Sequence, residues 1–318
     1  MSQSNNHYSY YPGCSAKSSS IAYEKSMLAV AEVLGLSFEE IDDWNCCGAT
    51  EYFSINALPA YSLVARNLAL AEQMDSDALV APCSACFLNL KKTDKNMGKH
   101  PELGDRVNRA LAAGDLGYEP ESLTVRHLLD VMVNDVGHEA IAERVTQPLT
   151  GLRVAPYYGC MIVRPDDGFD NPEYPTSLDN LLSALGATVV DFPLKAHCCG
   201  GHMTQISEDV AYELLRRLLH NADEYRADMI VTLCPMCQLN LDAYQNNVNR
   251  HFGTGYDMPV LFFTQLMGLA FGLKSREVGI GSEMVSAARA LAKIGQVEEE
   301  PKKPKRRDKR ALPMPGDA

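Results

Sequence analysis

Cys83-Ser84-Ala85-Cys86, entered from Asp77-Ala78-Leu79-Val80-Ala81-Pro82, has an echo later in the chain: Cys234-Pro235-Met236-Cys237, entered from Asp228-Met229-Ile230-Val231-Thr232-Leu233. In each, a short apolar run reads as a buried strand that empties into a Cys-x-x-Cys pair, where the strand passes into the next helix. The flanks agree on the far side too, Leu88-Asn89-Leu90 matching Leu239-Asn240-Leu241.

Working outward, each pair completes a set of five cysteines. Cys14, Cys46-Cys47-Gly48 and Cys83/Cys86 form the first set; Cys160, Cys198-Cys199-Gly200 and Cys234/Cys237 form the second, and together they use all 10 cysteines of the chain. The elements around them recur in order. His7 to Tyr11 reads as a strand stopped by Pro12-Gly13, followed by a helix to Leu34 that Ser18 or Ser19 can cap and Gly35 ends. Leu58 to Met74 reads as an amphipathic helix. In the second half Leu152 to Tyr158 is a strand ending at Gly159-Cys160, Leu178 to Leu185 a helix, Thr188 to Phe192 a strand, and Ile206 to Tyr225 a strongly periodic helix. A repeat of this length means two domains rather than a solenoid. The expected fold is α/β, two duplicated halves with mostly parallel sheets and with the cysteine stations on loops at strand ends, where such sheets carry their sites.

The expected division is a first half over residues 1–150, a second over 151–275, a helical extension over 276–297 and a disordered basic tail over 298–318. The segment from Asp94 to Pro148 is longer than its counterpart and is expected to cover the first half or bridge the two. The 318 residues carry a net charge of −12, but seven Lys or Arg against Asp308 and Asp317 make residues 301–318 basic, so a nucleic-acid reading has only that tail to stand on. The start of the chain is polar, with no signal-peptide pattern, and the apolar run Val260–Leu273 is too short to span a bilayer. The expected location is cytoplasmic. In that reducing compartment the cysteines read as metal or redox ligands rather than disulfides.

A structural zinc site takes four ligands, usually as two local pairs, and five thiols with two adjacent in sequence suit one small ion poorly. A lone Cys-x-x-Cys would read as a thioredoxin-like pair but leaves Cys14, Cys160 and both Cys-Cys pairs without a role. Thiolates converging from separate loops suit an iron–sulfur cluster. A cubane uses four, so a fifth implies either a bystander thiol or a larger, irregular cluster. No ferredoxin-type cysteine run and no G-x-G-x-x-G dinucleotide fingerprint is present, so electrons must arrive from another subunit.

The doubled CCG pattern resembles that of the B subunit of heterodisulfide reductase, as a bacterial member of that family, over nearly the whole chain up to Lys274. The resemblance implies that Cys14, Cys46, Cys47, Cys83 and Cys86 hold one non-cubane 4Fe-4S cluster and Cys160, Cys198, Cys199, Cys234 and Cys237 the other. It also implies cleavage of a disulfide between the clusters, a C-type subunit with cubane clusters and a flavin-containing A-type subunit. Two departures stand out. The second CCG-to-CxxC interval is one residue short, and Met161 stands where the methanogen form commonly has histidine, which implies a different substrate. Similar chains handle lipoate-bound sulfur in bacterial sulfur oxidation, and others serve bacterial electron-bifurcating complexes.

His197 and His202 bracket the second CCG and are the candidate catalytic residues, as proton donors to a cleaved sulfur; the alternative is that they only tune the site by hydrogen bonding. Lys195 reads as a surface or sulfide-neutralising charge, and Tyr8, Tyr10, Tyr11, Tyr157 and Tyr158 as strand packing. Two function classes follow. One is a catalytic subunit acting on disulfide or sulfane sulfur; the other is an electron relay to a quinone or another oxidoreductase. Two complete cysteine sets without a ferredoxin motif favour the first.

Overall fold

A computed structural model of the protein describes residues 6–49, 52–164 and 168–296. Residues 298–318, where the sequence places the basic tail, lie outside the described residues, as does position 297. The first half folds around four parallel strands, β1 (His7–Tyr10), β2 (Ser37–Glu40), β3 (Ala78–Ala81) and β4 (Thr124–His127), in the order β2-β1-β3-β4. The second repeats it with β5 (Arg153–Tyr157), β6 (Thr188–Val189), β7 (Met229–Thr232) and β8 (Val260–Phe262), in the order β6-β5-β7-β8. The duplication therefore extends from cysteine spacing to sheet topology.

Parallel neighbours need crossover connections, and helices supply them. Ile21–Leu34, Ala57–Glu72 and Ser84–Lys99 do so in the first half, and Ser177–Ala184, Glu208–Glu224 and Pro235–Ala243 in the second. With helices on both faces, the central strand β7 is wholly buried, which is why it reads as a continuous apolar run rather than an alternation. The helix Ile21–Leu34 ends where expected, with Gly35 left-handed at φ 70 and its N–H on the last-turn carbonyls. Its start differs from the expected one. Ser20 flanks the first turn without a side-chain cap, and Ser18 instead donates to the Cys14 carbonyl.

The segment 94–148 bridges the halves. It supplies β4 and then runs on so that the N–H groups of Thr146 and Gln147 reach Ala270 O and that of Leu149 reaches Leu185 O. Strand β4 escapes the sequence reading because four residues with exposed Thr124 and half-buried Arg126 offer little apolar pattern. Buried apolar side chains from both halves form one contiguous core. Helix Ile21–Leu34 packs on Phe263–Ala270 of the second half, with the hydroxyls of Ser26 and Thr264 2.6 Å apart in the interior. The segment 276–296 holds only the short helix Ala288–Leu291 and is fastened to the second half: Asp242 accepts from Met284 and Val285 N–H, and Lys293 pairs with Asp228. Among the described residues, no helix is long and apolar enough to cross a membrane.

Candidate metal centre

Each five-cysteine set is gathered at the carboxyl end of its own sheet. β1 leads through Tyr11-Pro12-Gly13 to Cys14; β3 leads through Pro82 to Cys83, which flanks the helix Ser84–Lys99 so that Cys86 lies in its first turn. β5 presents Cys160 in the same way, and β7 presents Cys234, with Cys237 in the first turn of Pro235–Ala243. The Cys-Cys-Gly loops close both sets. Cys46 Sγ lies 3.9 Å from Cys14 Sγ and Cys47 Sγ 3.4 Å from Cys86 Sγ; in the second half Cys199 Sγ is 3.6 Å from Cys237 Sγ, and the Cys160 and Cys198 thiols pair. Both sets have a buried inner trio, Cys47/Cys83/Cys86 and Cys199/Cys234/Cys237, and an outer pair reaching solvent, Cys14/Cys46 and Cys160/Cys198.

The loops are held by side chains that themselves repeat. The Tyr11 hydroxyl donates to the carbonyl of Asn45, the residue before Cys46, at 2.8 Å; the Tyr157 hydroxyl donates to that of His197, the residue before Cys198, at 2.7 Å. Asn89 spans the first CCG turn, donating to Cys47 O at 3.0 Å and Ala49 O at 2.5 Å. Asn240 spans the second, donating to Gly201 O at 2.7 Å. The Leu-Asn-Leu flanks match because each asparagine clamps its loop. Gly13 and Gly159 sit at φ 74 and 68, and a Cβ on either would meet the sulfur of Cys86 or Cys237 at 3.0 Å. Only glycine fits there without displacing a thiol.

Charge differs between the halves. Cys198 is held down at about 6 by its hydrogen bond with the Cys160 thiol, by the Gly200 N–H and by the Arg164 charge, while Cys160 is pushed up. Cys14 is pushed up by its hydrogen bond with Cys46 and by burial. Burial, followed by the neighbouring thiols, raises Tyr11 and Tyr157, so both phenols stay protonated as donors.

His197 is exposed beside Cys198, sharing a small cavity with Leu194, Arg217 and Leu218, and His202 is half-buried in the helical turn Gly201–Gln205. Of the two expected places for Lys195, on the surface or as a charge beside the sulfurs, the surface does not hold. It is buried, paired with Asp179 at 2.9 Å and seated 3.7 Å from the centre of the Tyr174 ring, and its carbonyl accepts from Tyr158 and Gly159 N–H in the turn that leads to Cys160.

The two sets approach each other at the junction between the halves. There the buried Tyr23 hydroxyl reaches both Pro82 O at 3.2 Å and Leu233 O at 3.1 Å, the carbonyls just before the two Cys-x-x-Cys pairs. The neighbouring Cys234 thiol pushes Cys83 up, and Cys83 helps to hold Cys234 down. His127, at the end of β4, is buried at the same junction. Its Nδ1 accepts from Leu129 N–H at 3.0 Å, which puts the ring proton on Nε2, 3.5 Å from Ser84 Oγ. Tyr23 and His127 have no signal in the sequence, since both matter only once the halves are packed together.

Five soft sulfur donors per half, with no carboxylate or imidazole among them, fit an iron–sulfur group. Among the described residues no set of three or more His, Cys, Asp or Glu side chains is grouped as a site for a single ion.

Comparison with known proteins agrees. Residues 8–91 and 154–242 each match the cysteine-rich domain CCG. The chain is 36% identical over 284 residues to the 8-methylmenaquinol:fumarate reductase membrane anchor subunit of Wolinella succinogenes, covering 89% of this chain and 98% of that one. It is 32% identical over 298 residues to the B subunit of the ferredoxin:CoB-CoM heterodisulfide reductase of Methanosarcina mazei, covering 92% and 98%. A protein of Archaeoglobus profundus that is like the B subunit of heterodisulfide reductase is 28% identical, with 85% and 92% covered. In fold the chain resembles the crystal structure of a hypothetical protein from Helicobacter pylori, with a TM-score of 0.71 at 15% identity. That likeness covers 89% of this chain and about half, 52%, of the other.

Proposed function

This chain belongs to the CCG cysteine-rich family, as a member like the B subunit of heterodisulfide reductase, and from that premise we propose that it is the two-cluster iron–sulfur component of an oxidoreductase complex acting on a disulfide or sulfane-sulfur substrate. Its role is redox. The observation that carries the proposal is the repeated split of each thiol set into a buried trio and an outer pair, with the two Cys-x-x-Cys entries joined through the Tyr23 hydroxyl. All ten cysteines serve as ligands in this reading, and a 4Fe-4S cluster, when bound, supplies a one-electron store.

The chain's own residues then do three things. Tyr11, Tyr157, Asn89 and Asn240 fix the loops, the apolar core keeps water from the inner trios, and the outer pairs present one edge of each site to a substrate or partner. In this reading His197, exposed next to Cys198, gives a proton to a sulfur arriving at that edge, with His202 as its companion in the same loop. Electrons come from other subunits, which in this reading are a C-type iron–sulfur subunit and a flavin-containing A-type subunit. A disulfide or a lipoate-bound sulfur species is the substrate class.

A second reading, an electron relay on the path to a quinone, is favoured by the likeness to the Wolinella succinogenes fumarate reductase subunit. The absence of a ferredoxin motif does not separate the two readings, because that relative aligns over 98% of its own length with this chain, which has none. One experiment does. The iron–sulfur-reconstituted protein is reduced chemically and mixed anaerobically with oxidised lipoamide, with a persulfide, or with a menaquinone analogue. Reoxidation by the sulfur compounds supports the first reading; reoxidation by the quinone alone replaces it with the second.

A further inference from the structure

Tyr23 belongs to the first half by sequence and to both halves by contact. Its ring, fully buried, stacks on Phe262 of the second half with centroids 4.2 Å apart and planes within 1°. Its single hydroxyl proton is shared between Pro82 O and Leu233 O, and each of those carbonyls precedes the first cysteine of a Cys-x-x-Cys pair. One donor thus ties together both β-strand ends, and the residues that follow those carbonyls are Cys83 and Cys234. The Ser26 to Thr264 contact, one helical turn further on, fixes the same helix against the second half.

We propose that Tyr23 is a positioning residue that holds the two cluster loops at one spacing, so that the two sites form an electronically coupled pair rather than two independent one-electron sites. This rests on the reading that each five-thiol set binds a cluster. The physical reason is the medium. Charges a few ångströms apart in a buried, apolar junction interact far more strongly than in water, so an electron on one site opposes arrival of a second at the other. Two cluster loops pinned by one hydroxyl also bring two paramagnetic centres close enough for their spins to interact. A subunit built this way accepts its two electrons at separated potentials.

The test uses the full chain reconstituted with iron and sulfide, followed by iron analysis, potentiometric titration and electron paramagnetic resonance. The expected result for the unaltered chain is two separated midpoint potentials and a spin–spin interaction signal in the doubly reduced protein. In Cys198→Ser/Cys199→Ser, which empties one site, the remaining cluster should titrate as one wave shifted to more positive potential, and the interaction signal should vanish. Tyr23→Phe keeps the ring and the iron content but removes the hydroxyl that links the two carbonyls, and should broaden the interaction signal and bring the two potentials closer. Full iron loading with an interaction signal in Tyr23→Phe identical to that of the unaltered chain overturns the positioning role. A single-site variant whose potential and line shape match one component of the unaltered chain overturns the coupling while leaving the cluster reading intact. A chain that takes up no iron removes both together.

Discussion

The Tyr23 hydroxyl, from the first half, lies 3.1 Å from Leu233 O in the second, the carbonyl just before Cys234, and 3.2 Å from Pro82 O, the carbonyl just before Cys83. The two Cys-x-x-Cys pairs are therefore tied together at a buried junction, with the outer pairs Cys14/Cys46 and Cys160/Cys198 left toward solvent. This arrangement has measurable consequences.

Gly13→Ala and Gly159→Ala should each impair one site. The left-handed backbone at φ 74 and 68 costs a non-glycine residue about 1–2 kcal/mol, and the added methyl meets the sulfur of Cys86 or Cys237 at 3.0 Å. Thermal melts should show a loss of that order. Iron content should fall by about half, with the other site retained.

Trp44, the only tryptophan, lies two residues before Cys46 and packs edge-on against Tyr11 at 5.6 Å. Its fluorescence should be quenched when the first site is loaded. Cys46→Ser should abolish the quenching, and Cys198→Ser should leave it unchanged. Equal loss of quenching in both variants would show that the first site cannot load alone.

Tyr157→Phe removes the hydrogen bond that holds the second CCG loop at His197 O. The orphaned carbonyl should cost about 1–3 kcal/mol of stability, and cluster loss on exposure to a chelator should accelerate at the second site. Tyr11→Phe should do the same at the first, where the partner is Asn45 O. Site-resolved chelation kinetics decide the matter.

These partners also mark how far the sequence could be read. The ten cysteines, the strands β3 and β7, and the helix stop at Gly35 were legible because spacing, apolar runs and turn chemistry are local. The echo Leu-Asn-Leu was visible, but its cause, Asn89 and Asn240 clamping loops more than 35 residues away in sequence, was not. For Lys195 the sequence offers a surface charge or one beside the sulfurs, since lysine is usually exposed; only the fold supplies Asp179 and the Tyr174 ring as its partners. Tyr23 and His127 were unreadable because their partners lie at the packed junction, including Leu233 of the other half for Tyr23.

His127 gives a pH dependence whose sign can be worked out. Burial lowers its pKa from 6.5 to about 4, so between those values the unfolded chain binds a proton that the folded chain does not. The stability of the neutral ring is fully present above about pH 6.5 and is lost as pH falls through 4, by roughly 3 kcal/mol in total at about 1.4 kcal/mol per unit. Phenylalanine stands at the equivalent end of β8, at Phe262, so His127→Phe should fold and should flatten the slope of melting temperature against pH between 4 and 6.5. An unchanged slope would mean that other groups carry it.

The most direct test of the account is metal and sulfide analysis of anaerobically prepared, iron–sulfur-reconstituted protein. Two complete five-thiol sets predict about eight irons per chain with matching acid-labile sulfide, broad visible absorption and no zinc. One zinc per half, with no visible absorption, would contradict it.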